Sequence, residues 1–418
     1  MKNLLIILSI LLIIVGLYIS WEFFEILGQH YNYRRAGKLE IDATGQTGEF
    51  IGGVVGTIFS LAGFVMLLLT IRQQNDSFQK ERFETNFFEL LKIHRENVID
   101  LKKQISNGVE KEDFEGRKVI QLIVSDILKC REEINMFFRL RNEKDIYEKH
   151  YADKLKATFK YTNPKVDLAK LAKINIPYCI VFFGIDGEGR KILDGIFKDK
   201  YNPKFYKPLL DYISLKPIRE RTEYFNKWET IRSITDYKKR KIIGLGILSR
   251  RRTTYKPEDY EMPIRQQIEE LWYKNDFVKY YGGNQYRLGH YFRHLYQTVT
   301  FIDSNKKLKT NMKYFYLKTL RAQLSTHEQV LLFFNSLSFI GMVWELTPKY
   351  KSDIYLEFIN YYRAKRKMLI SKYQFIKNIP SSDIFGLKIL EFYPLIELET
   401  NESYLCDVPD SEKDPNKM

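Results

Sequence analysis

Residues 3–21, NLLIILSILLIIVGLYISW, and residues 50–71, FIGGVVGTIFSLAGFVMLLLTI, hold no acidic or basic side chain. Each is close to the ~20 apolar residues that an α-helix needs to cross a hydrocarbon core. No later stretch of the chain is as long and as apolar. The fold class that follows is mainly α, with an N-terminal two-helix transmembrane hairpin followed by a large, mostly helical cytoplasmic domain. The hairpin takes residues 1–72, the domain 73–390, and an acidic, partly disordered tail 391–418. Lys2 ahead of the first span would suit a signal peptide. The span is long, however, no Ala-x-Ala site follows, and Trp21, Glu22, Phe23 and Phe24 carry it on, so a retained anchor is expected. Arg34, Arg35 and Lys38 in the connecting loop face Lys2, Arg72, Lys80 and Arg82 on the other side. The positive-inside rule tips this balance toward both termini in the cytoplasm.

Composition narrows the rest. The chain has 418 residues, room for the hairpin and one large or two modest domains. With 29 Tyr and 29 Phe it carries far more aromatic surface to bury than a disordered chain. The net charge of +15 favours contact with phosphate, whether of nucleic acid or of anionic lipid. Cys130, Cys179 and Cys406 lie far apart with no metal-ligand spacing, which excludes a disulfide framework and suits a reducing compartment. No Gly-x-Ser-x-Gly elbow, His-Glu-x-x-His or Walker loop is present, so no standard hydrolase or NTPase signature exists, and no metal or cofactor is expected.

Within the second span Gly48, Gly52, Gly56 and Ser60 recur every four residues, with Gly63 close to the end of the row. On one helix this is a small-residue stripe that lets two backbones approach in lipid. Its partner is either the first span, through Ser9 and Gly16, or the same helix in a second copy, a homo-oligomer. Beyond Arg72 the apolar residues Phe83, Phe87, Leu90, Leu91, Val98 and Leu101, with His94 among them, keep spacings of three and four, predicting an amphipathic helix that enters the soluble part.

Two blocks are familiar. The run Thr44-Gly-Gln-Thr-Gly-Glu-Phe-Ile-Gly-Gly-Val-Val-Gly-Thr-Ile-Phe-Ser-Leu-Ala-Gly63 leads to Phe83-Glu-Thr-Asn-Phe-Phe-Glu-Leu-Leu-Lys-Ile-His-Arg-Glu-Asn97. Later come Gly289-His-Tyr-Phe-Arg-His-Leu-Tyr296, Leu320-Arg-Ala-Gln-Leu-Ser325 and Asn335. Together, from Gly45 to Leu337, they resemble the AbiC-like phage abortive infection family of bacterial membrane proteins. The resemblance implies a two-span protein of the bacterial inner membrane that serves antiphage defence, triggered by a phage component. It implies no particular reaction.

Further along, Ile176-Pro-Tyr-Cys-Ile-Val-Phe-Phe-Gly184 is an apolar run that periodicity leaves open between buried strand and buried helix. The Gly184 to Gly189 segment that follows lacks the Gly-Lys-Ser/Thr ending of a phosphate loop and reads as a turn. Lys238, Lys239, Arg240 and Lys241, with Arg250, Arg251 and Arg252, flank the apolar residues 242–248. They form either a surface for anionic lipid or RNA, or a solvated loop around a buried hairpin.

The candidate chemistry lies between Tyr286 and Ile302, which projects as a helix. Leu288, Phe292, Leu295, Val299 and Ile302 make its apolar stripe, while Arg287, His290, Tyr291, His294 and Thr298 share the opposite face. Two imidazoles and a guanidinium within two turns could supply a general acid or base beside a phosphate-binding cation. Arg287 and His294 also fit the loose Arg-x4-6-His pattern of HEPN-type ribonucleases. His290 and His294 lack a nearby carboxylate to complete a metal set. Arg321 and His327 repeat the Arg/His pattern, but Ser325 and Glu328 between them predict a capping box that breaks the helix. His94, Arg95, Glu96 and Asn97 cannot all point one way from one helix, so they are expected to join Arg321 and Gln323 in an intramolecular polar network. Two function readings stand: a non-enzymatic membrane effector or sensor that halts growth of infected cells, and a membrane-tethered, metal-independent ribonuclease using Arg287 and His294.

Overall fold

The computed structural model describes residues 2–30, 34–35, 38–39, 41–106, 111–139, 141–160, 162–345, 368–379 and 383–398. The chain divides into two compact units, Met1–Leu90 and Leu91–Met418.

The first unit opens with α1 (Lys2–His30). Two short antiparallel strands, β1 (Arg34–Arg35) and β2 (Lys38–Leu39), stand next in the chain. Then come α2 (Ile41–Phe50), a π turn over Ile51–Val55 and the long α3 (Gly56–Ile99). Leu4–Ile26 and Thr44–Ile99 are long and apolar enough to cross a membrane. Leu17 is 58% exposed, Trp21 71% and Phe64 56%, so these are not the inward-facing helices of a water-soluble core. The small-residue row differs from the straight stripe predicted. At the π turn the Gly56 N–H reaches back to the Ile51 carbonyl, and the wider winding shifts Gly48 and Gly52 out of phase with Ser60 and Gly63. The first helix meets the second span at Gly16, where a Cβ would sit 3.2 Å from Phe59 Cζ and 3.3 Å from Ile58 Cγ2, and at Phe23, whose ring stacks on Phe50 at 4.0 Å. A Cβ at Gly48, Gly52 or Gly63 would meet nothing within 4 Å. Further along α3, Phe83, Phe87, Leu91, His94 and Val98 are buried, the three-and-four spacing that the sequence predicted.

Beyond the end of α3 lies an antiparallel ribbon, β3 (Lys102–Ser106) against β4 (Lys111–Glu115), in register Lys102↔Glu115 to Ser106↔Lys111. The core of the second unit is then three helices, α4 (Arg117–Ile134), α7 (Leu168–Phe183) and α15 (Thr326–Leu337), which pack on one another. α7 settles the apolar run left open above. Asp167 caps it by accepting the Ala169 and Lys170 N–H groups, and its side chains are buried nearly all round. Gly184, at φ +88°, ends it and turns the chain into α8 (Gly187–Lys198). The predicted capping box is present: the Glu328 carboxylate accepts the Ser325 N–H at 2.7 Å, and the break separates α14 (Thr310–Arg321) from α15.

Around this core lie α5 (Glu143–Ile146), α6 (Lys149–Phe159), α9 (Pro203–Ile213), α10 (Thr222–Ser233), α11 (Tyr237–Arg251), α12 (Met262–Leu271) and α13 (Gln285–Asp303). Residues 391–398 belong to the packed part rather than to a tail, since Phe392, Tyr393, Ile396 and Leu398 are buried. The expected tail beyond them, 399–418, lies outside the described residues.

Candidate functional site

α13 presents chemistry on two faces. On the first, Tyr291 is buried and its hydroxyl donates to Glu328 Oε1 at 3.3 Å. Glu328 is fully buried, and the capping box that starts α15 aims its carboxylate into this spot. Its Oε2 accepts the Ser325 hydroxyl at 2.6 Å and lies 3.3 Å from Arg117 Nε. Arg117, from the first turn of α4, also donates to the Gln323 carbonyl at 2.7 Å. His94 completes the group: 1% exposed, its Nε2 is 3.9 Å from Glu328 Oε1, and its ring lies 5.4 Å from Tyr291 and 6.4 Å from His294. Among the described residues, neither ring nitrogen of His94 or of His294 has a hydrogen-bond partner.

Burial, reinforced by His294 and Arg117, holds the His94 imidazole down to about 4, and burial alone lowers His294. His94 is therefore neutral at pH 7, and its approach to Glu328 is not an ion pair. An unfolded-chain histidine titrates near 6.5. Between that value and about 4 the unfolded state binds the additional proton, so stability present above pH 6.5 is lost as the pH falls through about 4. The full loss is roughly 3 kcal/mol. Glu345 acts with the opposite sign. Burial raises its carboxyl to about 7 against hydrogen bonds from Ser371 and the Ile370 N–H, so its contribution is full below its ordinary 4.5 and lost as the pH rises through about 7. Thermal melts of the detergent-solubilised protein between about pH 7 and about pH 4 should show a steeper acid limb in the wild type than in His94→Phe. Parallel limbs would mean that His94 titrates normally.

The predicted site residues divide between several places. Tyr291 and Thr298 are buried and His294 half-buried, so this part of the polar face turns inward, where Tyr291 meets the His94 and Glu328 side chains. Arg287 does not join them: its Nε donates to the Lys102 carbonyl at 2.7 Å, and its guanidinium lies 4.2 Å from the Tyr286 ring centre. His290 is exposed and lines a groove of about 760 Å³ on the other side of α13. Of the expected polar network, His94 alone turns inward to Glu328. Arg95 and Glu96 are exposed, Glu96 pairing with Lys92 at 4.0 Å, and Asn97 is half-buried. Arg321 is buried but donates to the Gln374 carbonyl at 2.7 Å, and Gln323 takes part through its main chain. Glu328 was legible as part of a cap; Arg117 carried no signal of its own, and their meeting was not legible because it joins residues far apart in sequence.

The basic segment also differs from its reading. It is one helix, α11, not a loop around a hairpin. Arg240 is buried and donates to the Arg232 carbonyl, and Arg251 to the Tyr273 carbonyl at 3.0 Å. Arg250 lies 5.3 Å from the Trp272 ring, and Arg252 pairs with Asp211 at 2.9 Å. Lys241 lies 5.2 Å from the Phe137 ring, while Lys238 is exposed and Lys239 half-buried. Several of these cations thus tie α11 to its neighbours rather than present one charged surface. Among the described residues no group of three or more His, Cys, Asp or Glu is placed to hold a metal.

Residues 283–352 match a family model described as "Putative phage abortive infection protein". The resemblance to the AbiC-like family stands on this stretch, which takes in α13, α14 and α15 and so includes Tyr291, His294, Ser325 and Glu328. His94 and Arg117 fall outside it. No curated protein and no solved structure matches the chain.

Proposed function

We propose that this chain is a membrane-anchored abortive infection protein, a non-enzymatic effector or sensor that halts growth of the infected cell. Its two spans sit in the bacterial inner membrane, with the second unit in the cytoplasm, where it receives a phage component as trigger. The family match over residues 283–352 supports the defence role. The observation that carries the membrane half is the outward-facing apolar surface of the two N-terminal helices, since lipid accepts such surface on every side of a helix. Of the α11 cations, Lys238 and Lys239 are the ones left for an anionic-lipid contact.

The ribonuclease reading is the weaker one. Arg287 and His294 stand two turns apart, about 10 Å along the axis of α13. The guanidinium is engaged by the Lys102 carbonyl, and the imidazole nitrogens are buried. A general acid or base has to reach the proton it moves. In infected cells, wild type and His294→Ala should both depolarise the membrane with cellular RNA intact. RNA cleavage that disappears in His294→Ala at equal expression would overturn this reading in favour of the ribonuclease.

A further inference from the structure

The groove on the second face of α13 has the size and lining of a ligand site. Its volume lies within the ~300–1,000 Å³ of small-molecule sites. The floor is the bare helix at Gly289, where a Cβ would meet nothing within 4 Å. Phe182 and Phe183, at the end of α7, contribute one set of aromatic rings. Tyr296 and Trp344 contribute another, meeting edge to face at 5.1 Å between ring centres. The indole is held by Asn335, whose Oδ1 accepts the Trp344 Nε1–H at 3.0 Å while its amide nitrogen donates to the Tyr178 hydroxyl at 2.7 Å. A tight backbone crossing closes one end. Gly283 has φ +91°, and a Cβ there would lie 2.7 Å from the Phe183 carbonyl, so neither chain could carry a side chain at the crossing.

Among the described residues the charges in this groove have one sign. Arg293 is exposed beside His290; among the described residues neither has an ion-pair partner, and no Asp or Glu lines the groove. An aromatic cleft with a free guanidinium and no carboxylate suits a flat π-system that carries an anion. A neutral apolar ligand would leave the guanidinium without a partner, and a bare anion would leave the rings unused. All of the lining except Phe182, Phe183 and Gly282 falls within the segment that matches the family.

We propose that this groove binds a free nucleotide, with the base against the aromatic rings and the phosphate on Arg293. Stacking supplies affinity for any base because every base has a π-face. The guanidinium fork matches two phosphate oxygens, and the His290 ring can add a donor. Nothing here depends on how the N-terminal helices act on the bilayer, so failure of one reading leaves the other standing.

The test uses the full chain in detergent micelles and isothermal titration with the four ribonucleoside 5′-monophosphates, adenosine and a ten-nucleotide single-stranded RNA. At least one monophosphate should bind saturably. Arg293→Ala, which removes a charge-assisted contact, should weaken it by about tenfold or more, while Arg293→Lys retains part of the affinity. Gly289→Phe, whose ring would occupy the open floor, should abolish binding with the thermal melt unchanged. Because Arg293 is exposed, its variants report on the ligand and not on folding. The assignment is overturned if no monophosphate binds, if adenosine binds as well as its monophosphate, if the RNA binds and no monophosphate does, or if the Arg293 and Gly289 variants bind like wild type.

Discussion

Lys216→Met is expected to lower the stability of the second unit by about 3–5 kcal/mol, because it strands the Glu133 carboxylate in the interior. Lys216 Nζ lies 2.7 Å from Glu133 Oε1, with the two side chains 4% and 0% exposed. Among the described residues, the other hydrogen bond to that carboxylate comes from the Tyr281 hydroxyl, donating to Oε2 at 2.8 Å. A single neutral donor does not replace a cation when a charge has left water. The double variant Lys216→Met with Glu133→Gln should recover most of the loss, since the pair's Coulomb gain and its desolvation penalty nearly cancel. Thermal or denaturant melts of the four members of this cycle measure it. A single-variant loss below about 1 kcal/mol would show that water reaches the pair. The effect should extend to the groove. The Tyr281 main-chain carbonyl accepts the Ile185 N–H at 2.8 Å, and so holds the chain that leads directly into Gly282 and Gly283.

Gly52→Leu should reduce protection against phage to the level of cells lacking the protein, while the variant still fractionates with membranes as wild type does. A Leu side chain raises hydrophobicity and leaves insertion intact, but it blocks close backbone approach. The structure places its effect outside the hairpin, because a Cβ at Gly52 would meet nothing within 4 Å. The surface it would obstruct, on the reading in which this helix pairs with a second copy, is that pairing face. Gly16→Leu should behave differently and lower the amount of inserted protein, since its Cβ would press on Phe59 and Ile58 in the contact between the two spans. Full protection by Gly52→Leu would remove helix association from the mechanism. Reduced insertion of Gly52→Leu would show that the glycine serves the hairpin itself.

Much of this was legible in the residues. The two apolar spans, the amphipathic run through Phe83, Phe87, Leu91 and Val98, the stripe Leu288, Phe292, Leu295, Val299 and Ile302, and the Ser325–Glu328 cap are local patterns. A helix repeats its contacts every three or four residues, so spacing alone reports them. The segment 176–184 resisted because a helix buried on all sides has no polar face to give it a period. The basic segment misled for a related reason. Arg240 and Arg251 count as charges in sequence, yet a guanidinium can bury its stem and give its donors to carbonyls of neighbouring segments.

By itself, then, the order of residues determined the helical class, the two membrane-length stretches, the helix start at Ser325, and which stripe of α13 is core. Each of these depends on interactions within a few residues of chain. Tertiary structure alone decided that His94, Arg117, Tyr291 and Glu328 meet, that Arg287 turns to the Lys102 carbonyl, and that Arg293 and His290 overlook an aromatic groove. Those outcomes depend on which helix lies against which. That choice is made by the summed burial of the whole core, so no local pattern carries it.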